Sequence, residues 1–194
     1  AKKIEEIQGI YVSSDCPVIG KIARDYGAEW IKRPKELASD SSPEWLSWQH
    51  AIKYVQEKYG HLNCFLSLPP TAPLRNLEDI KKALNALSKD VDIVLSMTKS
   101  KRSPWFNMVK KDKNEYIDLL INNKLIKRRQ DSPLCYDLTT AFYDAKTKFI
   151  LNATNIWEGK VVGVEIPEER AIDIDNELDF NIAKLIANNS KLLA

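Results

Sequence analysis

The sequence predicts an α/β domain built on a mostly parallel sheet. Short apolar segments rich in β-branched residues alternate with segments of helical periodicity along most of the 194 residues. The chain is 44% hydrophobic, which supplies enough apolar side chains for one sizeable core. No internal repeat or linker divides the chain, so we expect one domain over residues 1–194.

Each predicted strand is a short apolar run bounded by turn residues, and each predicted helix has apolar residues three and four positions apart. The strands are predicted at residues 9–13, 29–32, 63–68, 92–97, 136–144 and 161–166. The helices are predicted at residues 17–26, 42–59, 77–87, 147–151 and 178–187. Residues 1–7 have the character of the last turns of a helix, from which we expect the domain to be incomplete at its N-terminus.

Helical spacing also predicts which side chains face the core. The expected buried positions are Val18, Ile22 and Ala23 in the first helix, and Leu46, Ile52 and Val55 in the second. Pro17 suits the first turn of the first helix, and Gly27 suits the position after its end. The second helix is expected to stop at Gly60.

Residues 101–135 interrupt this alternation. The segment is rich in lysine and arginine and contains the aromatic pair Trp105 and Phe106. We expect a hairpin-like excursion from the sheet, of the kind that makes a dimer contact. A solvated surface loop is the alternative, and charge composition alone favours it.

Composition excludes several classes of protein. The formal net charge is +2, so charge alone gives no strong attraction to nucleic acid or to a membrane surface. No apolar run approaches the ~20 residues of a membrane helix. Three separated cysteines form no disulfide framework and favour a reduced, cytoplasmic protein. The glycine-rich and nucleophile motifs of dehydrogenases, P-loop NTPases and α/β-hydrolases do not occur.

An acidic motif near the end of the chain is the sharpest local signal. Asp173 and Asp175 flank one isoleucine, and Asp179 follows four residues later. In an extended segment both carboxylates of such a motif face one side, where they suit a hard cation such as Mg²⁺. The alternative is that Asp175 or Asn176 simply caps the last helix.

Three further motifs offer groups for an anionic ligand. Arg129 and Gln130 could hold an anion and its hydroxyls, or they belong to an exposed basic turn. The proline-rich loop that ends in Arg75 follows a predicted parallel strand, where ligands bind in open α/β sheets, although it could be only a rigid turn. Arg33 and Ser42 lie in a segment that could contact a base or phosphate, or where a serine caps the next helix.

The order of these motifs resembles that of the acylneuraminate cytidylyltransferases, also called CMP-sialic acid synthetases. The matching segments are VSSDCPVIGKIARDYGAEWIKRPKELASDSS, LPPTAPLR, RRQDSPLCYDLTTAFY and ERAIDIDNELDFNIAK. The resemblance implies a three-layer, Rossmann-like nucleotidyltransferase fold and a homodimer formed through the excursion. It also implies transfer of CMP from CTP to a nonulosonic acid, an acidic sugar of the sialic-acid type, with Mg²⁺ as cofactor and release of pyrophosphate.

The resemblance also implies roles for individual residues. Asp173, Asp175 and Arg129 are the expected catalytic residues, with the two aspartates holding the metal ion. The expected substrate-binding residues are Arg33, Ser42, Arg75, Gln130, Tyr143, Ile156 and Trp157.

The sequence departs from the family pattern in three places. The family's opening strand and phosphate-gripping loop have no counterpart here, so a catalytically impaired homologue that acts as a binding subunit remains an alternative. Pro69 stands where the family has a glutamine, and Thr139 and Thr140 stand where it has asparagine and glycine. Because these positions belong to the sugar pocket, we expect a relative of N-acetylneuraminate, such as legionaminate or pseudaminate, or else an octulosonate.

Overall fold

The structure, a computed structural model, describes residues 1–39, 41–122, 126 and 128–189. Residues 123–125 and 127 of the predicted excursion lie outside the described residues. The strands are β1 Tyr11–Ser14, β2 Glu29–Lys32, β3 Cys64–Ser67, β4 Ile93–Lys99, β5 Val109–Lys111, β6 Ile117–Leu119, β7 Tyr136–Lys146 and β8 Val161–Glu165. The helices are α1 Pro17–Asp25, α2 Glu44–Tyr59, α3 Leu77–Ala86, α4 Thr147–Asn152 and α5 Glu177–Asn188.

The strands form a four-stranded sheet and two small two-stranded ones. The four-stranded sheet has the order β3-β7-β4-β8, in which β4 and β8 are parallel and β7 is antiparallel to both of its neighbours. β1 and β2 form a separate parallel pair. The α/β class is confirmed, and the four-stranded sheet is mixed, because β8 is parallel to β4 whereas β7 is antiparallel to β3 and β4.

Helices cover both faces of the four-stranded sheet, which gives the predicted three layers. On one face, Ile80 and Ala83 of α3 pack against Val94 and Phe142 of the sheet. On the other face, α2 and α4 pack against the sheet through a second buried cluster. This second cluster comprises Trp45, Trp48, Ile52, Ile93, Leu95, Ala145, Ile150 and Ala153.

The predicted helical character of the first residues is wrong. Residues 1–7 form two successive turns, closed by bonds from the Ile4 amide to the Ala1 carbonyl and from the Ile7 amide to the Ile4 carbonyl. Ile4 is buried in the cluster on the α3 face, and Ile7 packs against that cluster. Burial of these two side chains in the core therefore replaces helix formation.

Helical spacing located the helices but misplaced part of their buried faces. In α1, Val18 and Ile22 are 66% and 51% exposed, because the helix packs on β2 through its small residues Gly20 and Ala23. In α2, Leu46 is exposed, and tryptophans at neighbouring helical positions take the core face instead. The predictions for Ala23, Ile52 and Val55 are confirmed.

Within the segment predicted as an excursion, the structure contains a short hairpin. β5 pairs with β6 in antiparallel register, with Lys110 opposite Asp118. Glu115, in the connecting turn, has a positive φ of 71°. The three cysteines of the chain are free. Within the described residues, no helix is both long enough and apolar enough to cross a bilayer.

Candidate functional site

The predicted motifs gather where parallel strands end. Arg33 directly follows β2, and its amide donates to the carbonyl of Ser14 at the end of β1. The proline-rich loop of residues 69–75 follows β3, and Tyr143 of β7 pairs with the last residue of β3. The acidic motif follows β8. Ligands in open α/β sheets bind at the carboxyl ends of such strands.

Arg75 shapes the proline-rich loop. Its guanidinium donates to the carbonyl oxygens of Leu68, Pro69 and Ala72, with the Pro69 bond at 2.7 Å. Burial lowers the pKa of Arg75 from its usual value. The side chain therefore supports the loop directly, and its predicted contact with substrate stays a prediction.

The acidic motif lies between the last strand and the last helix, in backbone that belongs to neither. The motif belongs to no sheet, and its two carboxylates differ in burial, since Asp173 is half-buried and Asp175 is exposed. Asn176 caps α5 in a reciprocal capping box with Asp179, so the capping alternative is correct for Asn176. The Asp179 carboxylate also accepts the Asp175 amide at 3.1 Å, which ties the motif to the helix start.

Glu44, at the start of α2, connects two of the predicted site residues. The indole of Trp48 donates to the Glu44 carboxylate at 3.1 Å, and the ring centroids of Trp48 and Tyr143 lie 5.0 Å apart. Burial raises the pKa of Tyr143, and the nearby carboxylates of Glu44 and Asp173 raise it further. Glu44 thus contacts Trp48, which packs on Tyr143, and the charge of Asp173 also acts on the Tyr143 hydroxyl.

Arg33 approaches the same region from the β2 side. Its guanidinium donates to the hydroxyl of Ser13 at 3.1 Å and to the Ser13 carbonyl at 2.8 Å. Burial raises the pKa of Glu44, while the Trp48 hydrogen bond and the charge of Arg33 oppose this shift. Arg33, Glu44, Tyr143 and Asp173 thus form one electrostatically linked group.

The Arg129 region meets this group only indirectly. Arg129 and Gln130 lie in an exposed turn, as the alternative interpretation holds, and Arg129 donates to the carbonyl of Lys101 at 2.8 Å. Lys101 forms an ion pair with Glu168, in the short helical turn that precedes the acidic motif. The excursion therefore contacts the turn that precedes the acidic motif, and not the motif itself.

The predicted aromatic-pair positions have different surroundings. Ile156 packs against the same core cluster as Tyr143, on the α2 side of the sheet. Trp157 is 66% exposed and its amide donates to the side chain of Asn155 at 2.9 Å. The structure thus links Ile156 to the Tyr143 side of the site and leaves the Trp157 ring accessible.

Several buried polar atoms near these motifs lack a hydrogen-bond partner within the described part of the chain. Most buried polar groups in proteins are hydrogen-bonded, so each such atom needs an explanation. The atoms are Oδ1 of Asp173, both carboxylate oxygens of Asp144, the hydroxyls of Ser42, Ser132 and Thr140, and Nδ1 of His50. Neither Ser41 nor Ser42 caps α2, because the residue at the cap position is Pro43 and it makes no side-chain bond. The Ser42 hydroxyl is thus buried without a hydrogen-bond partner in the described residues, and its predicted role in substrate binding stays a prediction.

Sequence analysis missed Glu44 and Trp48 as members of the site. Both lie on a helix whose spacing indicated only packing, and neither belongs to a polar motif. Their significance comes from Tyr143, which is far away in sequence and adjacent in space. The one available signal was an acidic residue at the start of a helix, which is ordinary at that position.

The acidic residues suit a magnesium ion that shares its coordination with phosphate. The described residues contain no group of three or more histidine, cysteine or acidic side chains that could hold a metal ion. Mg²⁺ commonly binds one or two carboxylates together with substrate phosphates and water. The buried oxygen of Asp173 without a partner and the exposed carboxylate of Asp175 fit that mode.

Two solved structures share this fold. The chain is similar to a 4-diphosphocytidyl-2C-methyl-D-erythritol synthase from Anaerococcus prevotii, with a TM-score of 0.65 and 18% identity over 96% of this chain and 84% of that one. It is also similar to a CMP:2-keto-3-deoxy-manno-octonic acid synthetase complexed with CTP, with a TM-score of 0.65 and 9% identity over 97% and 84% of the two chains. At these identities the likeness is one of fold.

Relatives in sequence narrow the class, although no family model matches the chain. Post-translational flagellin modification protein B from Campylobacter coli is 30% identical over all of this chain and 83% of its own length. The CMP-N,N'-diacetyllegionaminic acid synthase of Campylobacter jejuni is 31% identical over 94% of this chain and 78% of its own length. The N-acylneuraminate cytidylyltransferase of Escherichia coli is 25% identical over 94% of this chain and 43% of its own length.

The fold matches that of the two synthases, and the relative at 31% identity identifies the chain as a nucleotidyltransferase. Its sequence relatives narrow that class to one family. The chain belongs to the N-acylneuraminate cytidylyltransferase family.

Proposed function

We propose that this chain transfers CMP from CTP to a nonulosonic acid and releases pyrophosphate. The observation that carries the proposal is the geometry around Tyr143, which lies opposite the last residue of β3 and packs on Trp48, whose indole donates to Glu44. The charges of Glu44 and Asp173 act on Tyr143, and that of Arg33 acts on Glu44. An anion-binding arginine and a cation-binding aspartate in one such group suit a nucleoside triphosphate with its metal ion.

The reaction requires one bond to form and one to break at phosphorus. The anomeric hydroxyl oxygen of the sugar attacks the α-phosphorus of CTP, the hydroxyl proton leaves, and the bond to the pyrophosphate oxygen breaks. Such transfers depend mainly on positioning and on neutralising negative charge. Mg²⁺, when bound, supplies that neutralisation at the phosphate oxygens.

The side chains of this chain supply the positioning. Asp173 and Asp175 provide carboxylate oxygens for the metal–nucleotide complex, and Arg33 provides a guanidinium that Ser13 already orients. Arg129 and Gln130 are exposed, and the Arg129 guanidinium, which donates to the Lys101 carbonyl, has further N–H groups for the carboxylate of the sugar. Tyr143, packed on Trp48, forms one wall of the sugar pocket.

Thr140 supports a sugar other than N-acetylneuraminate. The hydroxyl of Thr139 donates to Ser96 at 2.7 Å, so that residue is committed to the sheet. The hydroxyl of Thr140, by contrast, is buried without a partner in the described residues. A hydroxyl at this position offers a substrate a donor and an acceptor of its own, which suits a differently substituted nonulosonate.

We also propose that the protein is a homodimer that associates through the β5–β6 hairpin. Tyr116 and Ile117 are 74% and 68% exposed on this hairpin, and Leu120 and Ile121 beside it are exposed as well. Apolar side chains grouped in this way commonly mark protein interfaces. Replacement of Ile117 by lysine should shift the mass measured by light scattering from dimer to monomer, whereas lysine at the equally exposed Val18 of α1 should not.

A pyrophosphate-release assay tests the proposed function. The protein is incubated with CTP, Mg²⁺ and, separately, N-acetylneuraminate, diacetyllegionaminate, pseudaminate and 3-deoxy-octulosonate. We expect release with a nonulosonate and CTP, and none when the sugar is omitted or when UTP or ATP replaces CTP. Absence of release with every acid would refute the enzyme, and CTP binding without turnover would instead support a catalytically impaired binding subunit.

A further inference from the structure

A buried ion pair joins the turn before the acidic motif to the start of α3. Nε and Nη2 of Arg170 donate to the two carboxylate oxygens of Asp79 at 2.9 and 3.0 Å. Asp79 is 0% exposed and Arg170 is 7% exposed. The two-point geometry fixes the direction of both side chains, which a single bond from lysine would not do.

Asp79 is also held by hydrogen bonds at the start of its own helix. Its carboxylate accepts the backbone amide of Asn76 at 3.0 Å, and the Asn76 side chain accepts the amide of Asp79 at 3.0 Å. This reciprocal box caps α3 directly after the proline-rich loop. Arg170 is therefore anchored to a helix start whose position the loop already sets.

A second anchor lies four residues further along the chain. The amide of Ile174, between the two aspartates, donates to the carbonyl of Thr71 in the proline-rich loop at 2.9 Å. Between the end of β8 at Glu165 and the start of α5, the backbone has no strand ladder to hold it. Asp173 is thus bracketed by two tethers, one at Arg170 and one at Ile174, and both lead to the loop and the start of α3.

We infer that the Asp79–Arg170 pair is a positioning device for the acidic motif, one that fixes where Asp173 and Asp175 meet the metal–nucleotide complex. A buried ion pair adds little stability over an apolar pair of similar volume, so its value lies in the geometry it imposes. The inference rests on the proposed function, because it assigns the motif a role in binding the metal ion.

The decisive variant, Arg170→Lys, keeps the positive charge and removes the two-point contact of the guanidinium with Asp79. Arg170→Lys leaves Asp79 paired with a cation, so the fold should persist, but it loses one of the two bonds that set direction. The matched control is Glu168→Gln, which removes an exposed ion pair with Lys101 in the same turn. A second variant, Asp79→Asn combined with Arg170→Gln, removes both charges and keeps side chains that can cap and hydrogen-bond.

Two readouts separate anchoring from metal binding. Hydrogen exchange at the Ile174 amide, measured on the protein without nucleotide, reports whether the tether to Thr71 holds. Mn²⁺ titration followed by electron paramagnetic resonance, with CTP present and no sugar, reports metal binding without turnover. Changes in residues that orient metal ligands typically weaken metal binding about 10- to 100-fold.

We expect Arg170→Lys to speed hydrogen exchange at the Ile174 amide and to weaken Mn²⁺ binding about 10-fold or more. The double variant of Asp79→Asn and Arg170→Gln should show the same two changes. Glu168→Gln should change neither. Wild-type exchange at Ile174 in both variants would overturn the anchor. Faster exchange with unchanged Mn²⁺ binding would overturn the positioning role, leaving a structural one. Failure of the proposed function would appear differently, as a wild-type protein that binds Mn²⁺ and CTP but transfers no CMP.

Discussion

Ionisation of the buried Asp144 carboxyl should destabilise the folded protein above neutral pH. Replacement of Asp144 by asparagine should remove this loss of stability. The side chain is fully buried in β7, and neither of its carboxylate oxygens has a hydrogen-bond partner in the described residues. Leu66 and Val94 stand directly opposite it on the neighbouring strands. Lys146, two positions along β7, instead donates to the Lys89 carbonyl.

The magnitude follows from the pKa of the buried carboxyl. Burial raises the pKa of Asp144 from 3.8 to about 7. The unfolded chain therefore loses this proton near pH 4, whereas the folded chain keeps it until about pH 7. Because the unfolded state binds fewer protons across that window, stability falls as pH rises through it. About 3 pH units at about 1.4 kcal/mol per unit give a loss of about 4 kcal/mol, complete above pH 7.

Urea unfolding at pH 5 and pH 8 measures the effect. The Asp144→Asn side chain has nearly the same shape as the protonated carboxyl and cannot ionise. Relative to the wild type, the variant should therefore become about 3 kcal/mol more stable between pH 5 and pH 8. The control is Asp137→Asn, an exposed carboxylate on the same strand, for which the two pH values should give nearly the same difference. An Asp144 difference that does not change with pH would refute the reasoning.

Three further substitutions test other parts of the structure. Asp175→Asn should lower CMP transfer about 100-fold or more without changing the melting temperature, because the side chain is exposed and acts on charge at phosphate; wild-type rates would remove it from the site. Arg75→Leu should lower the free energy of unfolding, measured in urea, by about 3 kcal/mol, because three loop carbonyls lose their donor. A decrease below about 1 kcal/mol would contradict that role of Arg75. Gly20→Ala should lower the free energy of unfolding by about 1–3 kcal/mol, because the added Cβ would lie 2.3 Å from the Trp30 ring. An unchanged urea midpoint would show that the ring moves freely.

The elements of the fold follow from local signals, so the sequence was sufficient to predict them. Helix α1 begins at the proline and ends before the glycine that the sequence indicated, and the last helix begins at its capping box. The order of the strands within the sheets depends on contacts between distant segments. Nothing in the local pattern indicates that β7 runs between β3 and β4, or that Ile4 belongs to the core.

The residues of the candidate site likewise fall into those that local sequence motifs predict and those that depend on contacts between distant segments. Polar motifs that follow strands, such as those at Arg33 and Asp173, could be placed from sequence because strand ends position them. The Asp79–Arg170 pair could not, because its two members lie 91 residues apart. Glu44 could not, because it is connected to Tyr143 only through Trp48. Their residue types, an acid at a helix start and a charged residue in a turn, are common on protein surfaces. Only the fold shows that Asp79 and Arg170 are buried together.

A carboxylate oxygen without a hydrogen-bond partner therefore has a different consequence inside the sheet, at Asp144, than in the loop that follows it, at Asp173. Tyr143 and Asp144 are neighbours on β7, but alternation sends their side chains to opposite faces. Tyr143 faces the α2 side, where Trp48 and Glu44 lie, whereas Asp144 shares the α3 side with Phe142. Asp173 follows a parallel strand among loop residues, where a ligand can complete its coordination, but Asp144 lies among apolar residues of the sheet. Asp144→Asn should therefore stabilise the protein at pH 8 and leave the KM for CTP and for the sugar unchanged.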